Sequence, residues 1–337
     1  MTMGIRQLLG TIAAFAAVNL THASQQTNYE VGYINVSVAT LWTDSSKPRP
    51  IDAPDLTSPV GIQKWLDTMT VDQFLDLTDS SRTQTQAIYG TQVYITDKTP
   101  GWYKILTTRQ PNPSNDQGYP GWVPSCQVHT NDPVFATLQD HRPFALVTKA
   151  PTAPIFSNFL LSRKLMDISY STRLPMVSHV GKTVMVAVPG GGFAYLPSDS
   201  VSIYNKAKDI PKPTGRDLVE SGKKLIGRPY LWGGASGFAP DCSGFTHTIH
   251  DAHGVTIPRD SGPQAYMPGY GNMVAKDDLQ AGDVVFYATN VSNAHTIHHV
   301  AMYAGDGKML EAYGAGVPVR LTDVRFGEEY FGARRFI

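Results

Sequence analysis

The sequence predicts a multidomain chain in which two small β-barrels precede an α+β domain. Three observations carry that prediction. Up to about Asp132, and again up to about Asp209, short runs of β-branched and aromatic residues alternate with dense turn signals. The segment KDIPKPTGRD then places Pro211 and Pro213 where any regular element has to stop. Beyond it, two runs of helical periodicity come before a series of strand-like runs, the order of an α+β domain. The expected division is 1–23 as a signal peptide, 24–132 as a first β-barrel with a helical insert, 133–209 as a second β-barrel, and 210–337 as the α+β domain.

A length of 337 residues is compatible with that number of domains. The 28 Lys and Arg balance the 28 Asp and Glu, so no basic footprint points to a nucleic-acid partner. No apolar run is long enough for a membrane span. At the N-terminus Arg6 precedes LLGTIAAFAAVNL, and Thr21 and Ala23 have the spacing a signal peptidase reads. Cleavage after Ala23 and export to the periplasm or the cell exterior are expected. The alternative is a retained anchor, against which the run is short and contains Asn19.

Each element has its own signal. In the first barrel, YEVGYINVSVATLWT and QVYITDK are strand-like, and GWYKILTT and GWVPSCQVH each open on a Gly-Trp step. In the insert, Ile62, Trp65, Leu66 and Met69 recur at helical spacing, with Phe74 and Leu75 on a following turn. RQPNPSNDQGYPGW is long for a hairpin connection, and long loops on small barrels often reach ligands. PFALVTKA, LMDISYST, RLPMVSHV and KTVMVAVPGGGFAYLP supply the second barrel. In the last domain Leu218, Val219, Gly222, Leu225 and Ile226 share a helical face that Thr214 caps. DCSGFTHTIHDAHG follows, with Phe245 and Ile249 four apart and Gly254 as a stop. SGPQAYM adds a helical turn, and GDVVFYA, HHVAMYA, KMLEAYG, PVRLTDV and GARRFI read as strands.

The chain has two cysteines. Exported proteins meet an oxidising milieu, but this pair is too sparse and too far apart in sequence for a disulfide framework. Cys126 reads as a strand residue and a small apolar filler. Cys242 stands between Asp241 and a Ser-Gly pair, where a loop becomes a helix. A thiol nucleophile needs a lowered pKa, a base, and a group that orients the base. Asp241 as N-cap places Cys242 in the first turn, where the helix dipole favours a thiolate. Gly244 leaves that turn uncrowded.

Ten histidines compete for the role of base. His247, His250 and His253 follow Cys242 at helical spacing, but no fourth ligand stands near, so no metal is expected. His298 and His299 are neighbours in a strand and point to opposite faces. A three-residue loop at Gly305, Asp306 and Gly307 pairs Tyr303 with Met309 and Ala301 with Glu311. Glu311 is then one diagonal step from His299. A two-residue loop instead sets Glu311 opposite Met302, on the wrong face. With the longer loop, Cys242, His299 and Glu311 form a nucleophile, a base and an orienting carboxylate whose charge favours a thiolate–imidazolium pair. The competing reading is a core cysteine beside two unrelated strands.

RPYLWGGASGFAPDCSGF, IPRDSGPQA, LQAGDVVFY and HHVAMYAGDGKMLEAYG resemble, in that order, the motifs of the NlpC-type cysteine peptidases of bacterial cell walls. The likeness covers most of the chain after the linker. It implies a papain-like catalytic domain with Cys242 as nucleophile and His299 as base. The third catalytic position falls on Glu311, where many members have histidine. INVSVATLW, TQAIYG and GYPGWVP resemble the two bacterial SH3 domains of the γ-D-glutamyl-L-diamino acid endopeptidases. The full architecture implied is two SH3-like β-barrels followed by a papain-like α+β domain. In that subfamily the barrels narrow the cleft, which accepts peptides with a free N-terminal L-alanine.

The resemblance also implies roles for single residues. Tyr230 lies beside the thiol and supports the oxyanion or substrate carbonyl, and Trp232 walls the cleft. Asp241 and Ser243 bind the L-Ala end, with Asp241 pairing the ammonium. Asp260 and Ser261 contact the γ-D-Glu portion, and Tyr119 closes the S2 side. Plainer readings compete. Asp241, Asp260 and Ser261 are helix-capping types, Tyr230 and Trp232 are core-forming aromatics, and Tyr119 can anchor a loop. The subfamily's acidic residue near the substrate amine has no glutamate counterpart between Asp79 and Gly90. The function implied is a cofactor-free, monomeric cysteine peptidase acting on peptidoglycan stem peptides or muropeptides, at the bond between γ-D-Glu and L-Lys or meso-diaminopimelate. An N-acetylmuramoyl-L-alanine amidase on the same fold and a wall-binding protein with an idle catalytic domain are the rivals.

Overall fold

The computed structural model describes residues 29–337. The expected signal peptide, 1–23, lies outside the described residues. The first sheet holds β1 (Glu30–Ile34), β2 (Val38–Trp42), β3 (Thr83–Ile88), β4 (Gln92–Thr99), β5 (Trp102–Thr107), β6 (Tyr119–Pro124) and β7 (Val128–Thr130). The insert between β2 and β3 contains two helices, α1 (Ile62–Thr68) and α2 (Val71–Asp79). Ile62, Trp65, Leu66 and Met69 are buried as their spacing predicts, whereas Leu77 rather than Leu75 is the core residue of α2. Thr70 opens α2 with a reciprocal cap to Gln73.

One helix has no counterpart in the sequence reading. α3 (Pro133–His141) joins the two barrels, capped by Asp132, which accepts from the Phe135 amide at 2.9 Å. Pro133 suits the first helical position because its missing N–H has no intrahelical partner to lose. Phe135 anchors the helix in the core of the second sheet.

That sheet comprises β8 (Phe144–Val147), β9 (Thr152–Phe156), β10 (Lys164–Ser169), β11 (Arg173–Val180), β12 (Thr183–Ala187), β13 (Phe193–Pro197) and β14 (Val201–Tyr204). The first sheet runs β3-β2-β6-β5-β4-β1-β7 and the second β10-β9-β13-β12-β11-β8-β14. Adding seven to each label of the first gives the second, so the two β-rich regions share one topology.

Cys126 departs from its expected role. β6 ends at Pro124, and the turn at Ser125–Gln127 points Gln127 inward, where its amide donates to Asp55 O at 2.6 Å. Its neighbour Cys126 therefore faces outward, and the thiol is exposed rather than a core filler.

The C-terminal domain is α+β. It contains α4 (Gly215–Lys223), α5 (Cys242–Ala252), α6 (Ser261–Tyr266), β15 (Asn272–Val274), β16 (Val284–Ala288), β17 (Ile297–Gly305), β18 (Lys308–Glu311), β19 (Arg320–Asp323) and β20 (Tyr330–Arg335). Its sheet runs β15-β20-β16-β17-β18-β19. Thr214 caps α4 as expected, but the helix stops at Lys223. Leu225 stays buried through the following turn while Ile226 faces solvent. Phe245 and Ile249 seat α5 on the sheet against Val284, Phe286, Val300 and Met302. Each such fully buried side chain contributes about 1.5–3 kcal/mol, enough to hold the first turn of α5 against β17.

All three units meet at Asp251 on α5. Its carboxylate takes the Arg109 guanidinium of the first unit and the Ser171 hydroxyl of the second, and Arg173 reaches it at 3.3 Å. Burial opposes the charge, but Arg109 and Arg173 outweigh it and hold Asp251 well below the usual carboxylate range. No helix among the described residues is long and apolar enough to cross a membrane.

Candidate active site

Asp241 caps α5: its carboxylate accepts from the Gly244 amide at 2.7 Å, so Cys242 is the first helical residue. The turn before the helix is folded tightly against it. A Cβ on Gly244 would lie 1.9 Å from Gly234 O, and one on Gly234 would lie 2.0 Å from Ala239 O. Glycine is required at both positions, and together they set where the thiol emerges. Cys242 is buried and packs in one core cluster with Tyr230 and with Val300 of β17. Tyr230 lies beside it, and burial together with the neighbouring sulfur raises that phenol well above its usual range.

Val300 follows His299 on β17, so the helix start and the base share one contact zone. The His299 ring meets Glu311 through Nε2 at 2.9 Å from Oε2. With Nε2 carrying the proton that Glu311 accepts, Nδ1 is the nitrogen available as base. The hairpin that joins the two residues has the expected upstream register, with Tyr303 opposite Met309 and Met302 opposite Leu310. It achieves this differently from the expected three-residue loop. Gly305 pairs with Lys308 across a two-residue turn, and a bulge between Tyr303 and Gly305 restores the face. Asp306 and Gly307 both have positive φ, at 51° and 69°, as a type I′ turn requires. His298 points away and comes within 3.7 Å of Glu329.

The electrostatics correct one expectation. Burial pushes the Cys242 thiol up to about 12, with the adjacent Asp241 charge adding to the rise. Burial also pulls His299 below its ordinary value, although Glu311 opposes this. Both directions favour a neutral thiol–imidazole pair over the thiolate–imidazolium pair expected from the helix dipole and the Glu311 charge. Desolvation of a fully enclosed sulfur outweighs a dipole that acts over the first turn only. Glu311 is the ionised member. Burial alone would raise it, but His299, Arg325 and Arg320 outweigh that effect and hold it at about 2.

The recognition side is built around a residue that the sequence reading did not single out. Arg259 is 1% exposed and grips Asp241 with both nitrogens of its fork, at 2.7 and 3.1 Å. It also donates to Ser243 Oγ at 2.9 Å and, from Nε, to Thr85 Oγ1 at 2.8 Å. Asp241 therefore caps a helix and neutralises a buried guanidinium. The carboxylate expected to pair a substrate ammonium is thus already paired with Arg259, and the hydroxyl of Ser243 is engaged as well. Asp260 behaves in the opposite way. It occupies the N-cap position of α6 but makes no side-chain cap, and instead accepts from the Tyr119 hydroxyl at 2.9 Å. Burial raises its pKa, with Arg259 opposing. Ser261 begins α6 and is half-buried.

Tyr119 is the first residue of β6 rather than a loop residue, and it is buried where the first unit meets the catalytic domain. Its hydroxyl also comes within 3.4 Å of Gln84 Oε1. Gln84 stands in the segment where no glutamate was found. Trp232 is half-buried, and its carbonyl accepts from Thr83 Oγ1 at 2.7 Å. Gln86 accepts from Ser236 Oγ at 2.8 Å. Thr83, Thr85 and Gln86 of β3 thus bond the first unit to the catalytic domain, and Gln84 meets Tyr119. The three helical histidines face separate partners: Ile257 O for His247, Thr246 O for His250 and Ser221 Oγ for His253. Among the described residues no group of three or more side chains is arranged to hold a metal.

A cysteine that opens a helix packed on an antiparallel sheet, with a carboxylate-oriented histidine on the strand it packs against, is the arrangement of a papain-like cysteine hydrolase. The NlpC/P60 family matches residues 227–335, and the YKFC SH3b2 domain matches residues 148–204. The chain is 42% identical over 332 residues to the gamma-D-glutamyl-L-lysine dipeptidyl-peptidase of Bacillus cereus (strain ATCC 10987), covering 98% of this chain and 97% of that one. It is 33% identical to the protein of the same name from Bacillus subtilis (strain 168), covering 89% and 96%. The crystal structure of an NlpC/P60 family protein from Bacillus cereus ATCC 10987 superposes with a TM-score of 0.85 at 43% identity, covering 91% of this chain and 99% of that one. The chain belongs to the NlpC/P60 family of cysteine peptidases and carries an SH3b domain ahead of its catalytic domain.

Proposed function

We propose that this protein is an exported cysteine peptidase that hydrolyses the γ-D-glutamyl–diamino acid bond of peptidoglycan stem peptides whose L-alanine amine is free. The observation that carries the reading is the pairing of a Cys242 site, based on His299 and Glu311, with a first-unit residue, Tyr119, bonded across the cleft to Asp260. Two full-length relatives named for the same dipeptidyl-peptidase activity support it. A cleft walled in this way suits a short peptide end better than a glycan-linked stem, which favours the peptidase over an amidase.

In this mechanism the peptide carbonyl sits over the start of α5. His299 Nδ1 accepts the Cys242 proton as sulfur attacks, giving a tetrahedral intermediate that becomes a thioester only when the amine departs. Amides of the first helical turn, assisted by Tyr230, stabilise the oxyanion. His299 then protonates the departing amine of the diamino acid, and water hydrolyses the thioester. Asp260, with Tyr119 and Gln84 around it, receives the ammonium of L-Ala, because Asp241 is committed to Arg259. Trp232, Ser243 and Ser261 shape the remainder of the dipeptide pocket. Gln84 provides an oxygen without a charge, so selection for the free amine rests mainly on Asp260. Digestion of L-Ala-γ-D-Glu-L-Lys-D-Ala and its N-acetylated form, followed by mass spectrometry, tests the reading. Release of L-Ala-γ-D-Glu from the free-amine peptide, with slower cleavage of the blocked one, is the expected result.

A further inference from the structure

Glu311 carries more than the single bond its role as orienting residue requires. Arg320 lies directly opposite it in the β18–β19 pairing and donates to Oε1 from Nε at 3.1 Å and from Nη2 at 2.9 Å. Arg325 straddles the carboxylate, donating to Oε1 at 3.1 Å and to Oε2 at 2.9 Å. The oxygen that holds His299 is therefore shared with Arg325. Both guanidiniums are also fixed by aromatic faces. Arg325 lies 4.7 Å from the Tyr287 ring centroid and 5.2 Å from that of Tyr313, and Arg320 lies 5.0 Å from Tyr313. The same two tyrosines flank the imidazole, at centroid distances of 5.7 and 5.5 Å. Arginine, carboxylate, histidine and tyrosine form one closed packing unit.

We propose that Arg325, assisted by Arg320, is a positioning residue that sets the basicity of His299 by competing with it for Glu311. A lone carboxylate would strongly stabilise an imidazolium. Here two positive charges stand on one negative charge, so the cluster around the ring is net cationic and disfavours a second proton. The charged and titratable groups facing His299 are few. They are Glu311 on β18, Tyr287 on β16, Arg320 on β19, and Arg325 and Tyr313 in the flanking loops. His298 and Glu329 lie on the far side of β17 and form their own pair. The consequence is a base that stays neutral, and so active, further into the acid range. A carboxylate at the third position needs such a counterweight, whereas a neutral side chain there does not.

The inference rests on His299 being the base, and its test separates the two. In Cys242→Ala protein, which cannot turn over, the His299 titration is read by nitrogen-15 NMR with and without Arg325→Gln. The expected result is a rise in the His299 pKa of about one unit, the shift that loss of a nearby cation produces. Arg320→Gln should give a smaller rise, because Arg320 touches only the oxygen remote from the ring. Arg325→Lys, which keeps the charge but loses the fork, should titrate close to the parent. In otherwise native protein the acid limb of kcat/KM should move up by the same amount in Arg325→Gln. A His299 pKa unchanged or lowered in both glutamine variants overturns the inference, even if the parent enzyme cleaves stem peptides. An unshifted limb with uniformly lower activity would show that the arginines act only as structural props.

Discussion

Two carboxylate–guanidinium clusters belong to the proposed site, and they are built oppositely. On the recognition side Arg259 is 1% exposed and enclosed with Asp241, so each residue consumes the other's charge. On the catalytic side Glu311 is fully buried, but its partners Arg320 and Arg325 are 43% and 38% exposed and reach in from the surface. The first cluster is a structural rivet: it fixes the helix start, Ser243 and the first-unit wall through Thr85. The second leaves one oxygen shared with an imidazole and stays adjustable. The same ion-pair chemistry therefore yields scaffold where it is sealed, and a tunable base where it is open to solvent.

Changes that break this contrast should rank by size. Glu311→Gln keeps the shape but loses the charge that orients His299, and kcat should fall about 10²–10⁴-fold with the fold intact, as steady-state kinetics on a stem peptide would show. Arg259→Met should act in the other way. It strands Asp241 as an unpaired buried charge and should cost about 3–5 kcal/mol of stability in denaturant titration, before any question of catalysis arises. An unchanged stability would mean that the recognition cluster is not a rivet. Tyr119→Phe removes one hydrogen bond to Asp260, worth about 1 kcal/mol. It should raise KM several-fold for the free-amine peptide and leave kcat nearly unchanged.

Acid should separate the clusters from the rest of the domain. His247 and His250 are buried, and desolvation depresses both to about 4. Nε2 of His250 has no hydrogen-bond partner among the described residues, as suits a neutral ring. Depressed folded-state values mean that the unfolded chain binds more protons, so stability falls as pH drops from about 6.5 to about 4. Glu311, also depressed, adds a second loss as pH falls from about 4.5 towards its folded value of about 2. Scanning calorimetry should show Tm declining in these two windows. His250→Gln should shrink the first, since His247 still contributes to it, and leave the second.

Much of this was legible in the sequence, and the residues show why. Asp241, Cys242 and Gly244 report a helix start locally, so the cap, the first-turn position of Cys242 and the tight turn were readable together. The face shared by His299 and Glu311 followed from strand alternation, although a bulge rather than a longer loop delivers it. Tyr119, Asp260 and Tyr230 came from motif resemblance; the structure bonds Tyr119 to Asp260 and sets Tyr230 beside Cys242. What stayed hidden depends on contacts distant in sequence. Nothing local marks Arg259 as the partner of Asp241, or Arg325 as the partner of Glu311. Arg320 would have been visible only with the β18–β19 register in hand. α3 was hidden because Pro133 and Phe135 resemble a turn and a strand until Asp132 is recognised as a cap. Cys126 was misplaced because a single 3-10 turn reverses which side of the chain faces inward.

The central claim is that Cys242 cleaves the γ-D-glutamyl bond of a stem peptide. Its most direct test is mass spectrometry of a defined muropeptide set digested by the parent protein and by Cys242→Ala. The account predicts free L-Ala-γ-D-Glu from the parent and intact peptide from the variant. Release of the whole stem from its sugar, or undiminished dipeptide release by Cys242→Ala, would contradict it.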